Sequence, residues 1–190
     1  MGEFCETYRG EALSWEADEL GHMNMRYYFD RAAQARAHFF SRLGLPGMFK
    51  ARAFSTVIPT SQHINYHKEI RPGHGMAVQT AIVHLGETDI TLAHIITKTP
   101  QILSATIVET LSHISRRTGK TFSWPRRLKD RAPKFIVDIP DIAKARNINL
   151  DEPLGSPSFK AADKLGLPAI GRGMFSPNEC DAHGFVNHSA

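Results

Sequence analysis

The chain has 190 residues, of which 42% are hydrophobic and 22% are charged, and its formal net charge at pH 7 is +4. This composition is typical of a globular protein and excludes a disordered or collagen-like chain. No apolar run approaches the roughly 18 residues that span a bilayer, and the basic residues form no stripe, so we expect neither a membrane protein nor a nucleic-acid-binding protein.

The first residues, MGEFCETYRG, lead into the first predicted strand and lack the apolar core of a signal peptide. The cysteines, Cys5 and Cys180, are too far apart in sequence to suggest a zinc site or a disulfide framework. We therefore expect a soluble cytoplasmic protein. Residues 7–15 alternate loosely between apolar and polar side chains, which predicts a strand.

Residues 25–43 carry the most regular helical pattern of the chain. Apolar side chains recur on one helical face at Tyr28, Ala32, Ala35, Phe39 and Leu43. Asn24 stands where an N-cap is expected, and Gly44 predicts the end of the helix. The spacing places Arg31, Arg36 and Arg42 off the apolar face, so they are predicted to face water.

Residues 54–124 predict a series of strands. The segments RPGHG, GETD and PQ separate alternating or β-branched runs, and such short turns favour antiparallel pairing. One helix followed by several strands predicts an α+β domain in which the helix packs on one face of the sheet. His84, His94 and His113 fall within these strands, and we interpret them as hydrogen-bonded residues of the sheet.

A loop motif occurs twice in the chain, in WEADELGHMNMRYY (residues 15–28) and in PNECDAHGFVNHSA (residues 177–190). Both copies contain E-x-D-x-x-G-x-x-N, with an offset of 163 residues. The matched residues are Glu16 with Glu179, Asp18 with Asp181, Gly21 with Gly184, and Asn24 with Asn187. This self-similarity predicts a repeated unit. We interpret residues 1–125 as the first unit, residues 126–170 as a connector, and residues 171–190 as the truncated start of a second unit.

The loop EADELGHMNMRYY, the long helix and the segment YHKEIRPGHGMAVQTAIVHLGETDITLAHIITK together resemble the hotdog-fold acyl-CoA thioesterases of the 4-hydroxybenzoyl-CoA thioesterase type. The resemblance covers about residues 7–125, and the second copy of the motif resembles the entry to a second unit in tandem members. It implies a hotdog fold, in which an antiparallel sheet wraps around one long central helix. It also implies that units pair side by side with active sites at the seam, so we expect a homodimer or a higher homo-oligomer.

The same resemblance implies hydrolysis of an acyl-CoA thioester without a cofactor. Asp18 matches the loop carboxylate that acts as general base or nucleophile in the family, and the polarising N–H groups match the helix start near Asn24 and Met25. Helix N-termini offer N–H groups that have no intrahelical partner and carry partial positive charge. Asn24 is interpreted as a positioner of water or carbonyl or as a plain N-cap. His22 is interpreted as a second positioner, as a proton partner, or as a loop histidine bonded to backbone. The second copy has Phe185 in place of His22, which weakens a scheme that needs this histidine.

Other residues of the first unit leave alternatives open. Glu16 is expected to make a structural bond in the loop, and Gly21 to adopt an unusual φ. The phosphates of CoA suggest a role for basic residues that are otherwise plain solvated side chains, namely Arg71, Arg116, Arg117 and Lys120. His63 and His67 share one face of a strand, but no further ligand joins them, so we expect no metal site.

Two other functions remain as alternatives to an acyl-CoA thioesterase. One is a non-catalytic hotdog domain that binds acyl-CoA or mediates assembly. The other is a thioesterase that acts on acyl carrier protein. A hydratase is disfavoured because the sequence lacks the Asp and His pair in the arrangement usual for that family.

Overall fold

The computed structural model describes residues 2–146, 148, 158–169, 173–175, 180 and 186. Within them the helices and strands follow the order β1 (Cys5–Glu11), α1 (Met25–Arg42), β2 (Ser55–Tyr66), β3 (Gly75–Leu85), β4 (Asp89–Lys98), β5 (Ile102–Ser115), α2 (Arg126–Arg131) and α3 (Phe159–Lys164). This order agrees with the predicted α+β pattern of one helix followed by strands. None of the helices in the described ranges is both long and apolar enough to cross a bilayer.

The five strands form one antiparallel sheet with the spatial order β1-β3-β4-β5-β2. β3, β4 and β5 are consecutive neighbours joined by tight turns, as the turn residues predicted. β1 and β2 occupy the two edges. The first strand ends earlier than predicted, because its pairing with β3 stops at Glu11 and the chain then enters a 3₁₀ turn at Ser14–Glu16.

Helix α1 begins and ends close to the predicted positions. The Asn24 side chain accepts a hydrogen bond from the Arg26 N–H, so Asn24 is the predicted N-cap. Gly44 follows the helix with a φ of +89°, a left-handed conformation that glycine adopts at little cost. The predicted apolar face is buried against the sheet and its flanking loops, through Tyr28, Ala32, Ala35, Phe39 and Leu43.

The prediction that Arg31 and Arg36 face water is wrong. Arg31 is 6% exposed and forms an ion pair with Glu16, which precedes α1. Arg36 Nη1 lies 2.7 Å from Glu109 Oε2 on β5. Both guanidinium groups turn inward because a buried carboxylate compensates their charge, which the spacing of apolar residues does not reveal.

Glu109 belongs to a buried polar chain that crosses the sheet beneath α1. Its Oε1 accepts from His94 Nε2 at 3.0 Å, and its Oε2 accepts from Gln62 as well as from Arg36. His94 Nδ1 lies 2.8 Å from the Thr80 hydroxyl, which in turn contacts the hydroxyl of Thr7. His94 is therefore a hydrogen-bonded sheet residue, as predicted.

This buried chain of polar side chains makes the stability of the fold sensitive to acid. Burial alone would raise the pKa of Glu109, but the Arg36 charge and the hydrogen bonds from His94 and Gln62 outweigh it and lower the pKa from 4.5 to about 2. A lowered folded-state pKa stabilises the protein above the unfolded pKa, and this stabilisation is lost as the pH falls toward the folded pKa. We expect Glu109 to contribute about 3 kcal/mol to the free energy of unfolding at neutral pH, lost between about pH 4.5 and pH 2.

Urea unfolding of the native protein and of Glu109→Gln over that pH range measures this contribution. The native protein should lose stability more steeply than the variant, since the variant has no carboxyl group to titrate at this position. Parallel pH profiles for the two proteins would contradict the assignment.

Residues 126–146 pack against the sheet. Leu128, Ala132 and Phe135 are buried in the core beside Phe39, and the Val137 N–H donates to Ile82 O at 2.9 Å. Farther along, the backbone O of Ile142 accepts hydrogen bonds from two side chains of neighbouring strands, Asn65 on β2 and Thr106 on β5. Along β2 and β5, Asn65 and Thr106 alternate with Ile64 and Ile107, which pack toward α1. Asn65 and Thr106 therefore lie on the opposite face of the sheet, and the segment around Ile142 crosses that face. The predicted unit bounds at residues 125 and 170 stay predictions.

Candidate active site

The loop before α1 is a closed hairpin of residues 16–24, which we call the Asp18 hairpin. Its arms are joined by Asn24 N–H to Glu16 O at 2.8 Å, by an antiparallel bridge between Ala17 and Met23, and by Asp18 N–H to His22 O at 2.8 Å. Gly21 turns the tip with a φ of +74°, the unusual conformation predicted for it. In the first copy, E-x-D-x-x-G-x-x-N therefore forms a hairpin that carries a carboxylate and ends at a helix cap.

Asp18 uses one carboxylate oxygen to hold the hairpin. Its Oδ1 accepts the N–H groups of Leu20 at 2.9 Å and of His22 at 3.0 Å. Its Oδ2 accepts no hydrogen bond from the described residues. The side chain lines a cavity of about 260 Å³ between the Asp18 hairpin, the start of α1 and the segment that follows β2. One oxygen is thus structural, and the other is available to a molecule in the cavity.

The start of α1 forms the adjacent wall of this cavity. Asn24 Oδ1 accepts the Arg26 N–H at 3.1 Å, and Asn24 O accepts the Tyr27 N–H at 3.0 Å. In the part of the chain that the structure describes, no acceptor takes the Met25 N–H, and the exposed Met25 residue lines the cavity. Asn24 therefore caps the helix, and Met25 supplies the open donor.

His22 lies beside Asp18 within a polar cluster at the cavity rim. Its Nε2 is 3.1 Å from Arg71 Nη2 and 3.7 Å from Glu69 Oε2, and Arg71 also bonds Glu69 at 3.0 Å. The bond from Arg71 and the nearby His22 lower the pKa of Glu69, which stays ionised. Arg71 is thus close to the candidate site, as its predicted role in binding substrate requires.

The other predicted basic residues lie elsewhere in the same subunit. Arg116 follows the end of β5 and donates to Ala51 O at 2.6 Å, and Arg117 and Lys120 belong to the turn that follows. The cavity borders the opposite end of β5, where Ser104 O accepts the His67 N–H. At the rise of an extended strand the two ends of β5 are about 43 Å apart. The structure does not bring these three side chains together with Arg71.

The aromatic and histidine wall of the cavity is not apparent from the sequence. Tyr28 is buried, which raises the pKa of its hydroxyl, and its ring meets Tyr66 edge to face at 5.3 Å. His67, considered above for metal binding alone, lies in the same wall with its Nδ1 3.5 Å from Arg146 Nη2. Burial, and secondarily the Arg146 charge, lower the pKa of His67. No local pattern marks these residues, because they converge from positions about 40 and 80 residues apart.

His63 and His67 do not come together as metal ligands. His63 Nε2 is 3.1 Å from Asn65 Oδ1, whereas His67 faces Arg146. Within the described ranges, no group of three or more His, Cys, Asp or Glu side chains is arranged to hold a metal ion.

A family comparison bears on what this hairpin and cavity do. Residues 13–132 match the model of the Thioesterase-like superfamily. The chain belongs to this superfamily. The match covers the Asp18 hairpin, α1 and the whole of β2 to β5. No curated protein matches this thioesterase-like chain in sequence.

Solved structures share the fold of this thioesterase-like chain at low sequence identity. A hypothetical protein from Staphylococcus aureus in complex with CoA has 17% identity and a TM-score of 0.66, over 83% of this chain and 98% of its own. A thioesterase from Thermus thermophilus complexed with coenzyme A and Zn has 19% identity and a TM-score of 0.58, over 68% of this chain and 98% of its own. The DHNA-CoA thioesterase from Staphylococcus aureus has 22% identity and a TM-score of 0.59, over 65% of this chain and 83% of its own. These likenesses confirm the antiparallel α+β fold.

Proposed function

We propose that the chain is an acyl-CoA thioesterase with a hotdog fold, in which the sheet curves around α1. The observation that carries the proposal is that one cavity is lined both by Asp18, whose Oδ2 accepts no hydrogen bond from the described residues, and by Met25, whose N–H has no acceptor among them. Family membership supports a thioester as substrate, and the two similar proteins solved with CoA support CoA as its carrier. The position of the carboxylate in the loop before the helix supports the 4-hydroxybenzoyl-CoA thioesterase type.

The proposed reaction needs one base and one oxyanion donor. Asp18 Oδ2 takes a proton from water as the water oxygen attacks the thioester carbonyl carbon. The carbonyl oxygen becomes an oxyanion beside the Met25 N–H and the positive end of α1. The C–S bond then breaks, the CoA thiolate leaves, and the proton held by Asp18 passes to it. Direct attack by Asp18 on the carbonyl carbon, followed by hydrolysis of the anhydride, uses the same groups.

His22 and Asn24 act in this proposal by position. The backbone N–H of His22 holds Asp18 Oδ1 and so fixes the carboxylate at the cavity that Asp18 lines. Asn24 caps α1 and leaves the next N–H open. Neither side chain is needed as an acid or base, which agrees with the Phe185 that replaces His22 in the second copy of the motif.

A panel of acyl-CoA substrates tests the proposal. The protein is incubated with acetyl-, benzoyl- and long-chain acyl-CoA, and released thiol is measured. We expect release from at least one of them. Tight binding of CoA without release of thiol from any acyl-CoA would favour a non-catalytic binding domain. Release of thiol from an acylated acyl carrier protein, but from no acyl-CoA, would favour a thioesterase that acts on acyl carrier protein.

Arg71 is proposed to hold a phosphate of CoA at the cavity rim. Its guanidinium is half exposed and reaches the site, where it contacts His22 and Glu69. We expect Arg71→Ala to raise KM for acyl-CoA by up to about tenfold, a change worth about 1.4 kcal/mol, with little effect on kcat. The matched control is Arg117→Ala, at the far end of β5. Equal effects of the two variants at all salt concentrations would contradict a specific role for Arg71.

We also propose that the second copy of the motif begins a second unit of the same kind. Cys180 and Val186 form an antiparallel bridge, and the same offset of 163 residues relates them to Ala17 and Met23, which form the corresponding bridge in the first copy. Two copies with the same sequence pattern and the same bridge support a tandem arrangement. The matching carboxylates Glu179 and Asp181, with Gly184 and Asn187, lie outside the described residues.

A homodimer or a higher homo-oligomer remains our proposal for the assembly. β2 is a 12-residue edge strand, and Tyr66 at its end lines the cavity. Exposed edge strands present unpaired backbone groups to a second chain. Light scattering and activity measured on the same sample test this: a monodisperse monomer with full activity would contradict a site that lies at a seam between subunits.

A further inference from the structure

One buried ion pair joins the Asp18 hairpin to the middle of α1. Glu16 is 3% exposed, and its Oε1 pairs with Arg31 Nη2. Its Oε2 accepts the Leu13 N–H at 3.0 Å, so both carboxylate oxygens are used. Among the described residues Glu16 is the single carboxylate that pairs with Arg31. A buried pair of this kind tolerates little displacement, because separation would leave two uncompensated charges.

The ion pair places Asp18 and the Met25 N–H on one rigid unit. Arg31 lies six residues after Met25, which is about 9 Å along the helix axis. Glu16 O also accepts the Asn24 N–H at 2.8 Å, so Glu16 holds both ends of the hairpin as well as the helix. Asp18 follows Glu16 by two residues. The distance between the Asp18 carboxylate and the N-terminus of α1 therefore depends on Glu16.

The second copy of the motif repeats, in sequence, the two carboxylates of the first. The second copy keeps the Glu-x-Asp pair at Glu179 and Asp181 while it replaces His22 by Phe185. The bridge between Cys180 and Val186 matches the bridge between Ala17 and Met23 at the same offset. A glutamate that accompanies the aspartate in both copies is expected if the two side chains act together.

We propose that Glu16 is a positioning residue for thioester hydrolysis, through an ion pair with Arg31 that sets the separation between the Asp18 carboxylate and the Met25 N–H. The inference rests on the proposed function, and it assigns to the Glu16–Arg31 pair a kinetic effect beyond its contribution to stability. Glu16 itself does not touch substrate, because its carboxylate is buried behind the hairpin.

The test is Glu16→Gln in the full chain. A misplacement of about 1 Å costs about 100-fold in comparable active sites, so we expect kcat for acyl-CoA hydrolysis to fall about 10- to 100-fold. KM and the Kd for CoA should stay near the native values, since Arg71 belongs to the segment after β2 and not to the hairpin. The matched control is Glu109→Gln, which disrupts the other buried ion pair of α1 without contacting the hairpin. Measured well below both melting temperatures, this control should keep native kcat.

A double variant separates positioning from partial unfolding. If Glu16 acts through Asp18, Glu16→Gln should have no further effect on the residual activity of Asp18→Asn. If Glu16→Gln merely lowers the folded fraction, it should reduce the residual activity of Asp18→Asn by the same factor by which it reduces the activity of the native protein. That second result, or native kcat for Glu16→Gln, would overturn the inference. Failure of the proposed function is a separate outcome, in which Asp18→Asn itself keeps native activity.

Discussion

Asp18→Asn is expected to lower kcat/KM for acyl-CoA hydrolysis about 10²- to 10⁴-fold, the range that a positioned general base contributes. The substitution keeps an oxygen at the Oδ1 position, so the hydrogen bonds from the N–H groups of Leu20 and His22 persist. It replaces the free Oδ2 by an amide group that cannot take a proton from water. The hairpin should therefore keep its conformation while the reaction loses its base. Steady-state thiol release, with circular dichroism to verify folding, measures the effect.

Glu19→Gln is the matched control for this experiment. Glu19 is the next residue in the chain, and its exposed side chain lies at the tip of the Asp18 hairpin. Its substitution removes one negative charge at almost the same place, so general electrostatic effects should be alike in the two variants. We expect Glu19→Gln to keep native kcat/KM. Comparable losses in both, or native activity in Asp18→Asn, would refute the assignment of Asp18 as the base or nucleophile.

Met25→Pro should lower kcat about 10²- to 10³-fold, as loss of one oxyanion donor does elsewhere. Proline removes the Met25 N–H and nothing else from the helix ladder, because the first helical position has no intrahelical partner for this group. It is also a favoured residue at that position. Asn24, with a φ of −58° and a ψ of 142°, already has the conformation that suits a residue before proline. The variant should fold, bind CoA and hydrolyse slowly.

Met25→Ala separates the donor from the side chain. Alanine keeps the N–H and removes the exposed thioether side chain that lines the cavity. We expect this variant to keep kcat near the native value, with any change confined to KM. If proline and alanine reduce kcat equally, the side chain matters and the N–H does not, which would remove Met25 from the proposed oxyanion site.

Most of the fold is predictable from the sequence because its signals are local. The helix begins and ends within about one residue of the predicted positions, since Asn24 and Gly44 act on adjacent backbone groups. The strands are predictable for the same reason: apolar side chains alternate within each run, and glycine or proline separates the runs. The order of strands in the sheet needs tertiary structure, because β2 pairs with β5 and β1 with β3 across intervening chain.

The polar interior was not predictable in this way. Arg31 and Arg36 stand off the apolar face, and helical spacing therefore predicts that they face water. Their actual partners, Glu16 and Glu109, are 15 and 73 residues away in sequence. A charge turns inward when a distant carboxylate compensates it, and no local pattern contains that information.

The sequence by itself determined the loop that carries the carboxylates, the helix that follows it and the alternating strands, because each depends on neighbours along the chain. Only the tertiary structure decided which oxygen of Asp18 is free, that Met25 lines the same cavity as Asp18, and that Tyr28, Tyr66 and His67 line it as well. These are relations between atoms that folding brings together, and the entropy of the unfolded chain keeps them apart until the core forms.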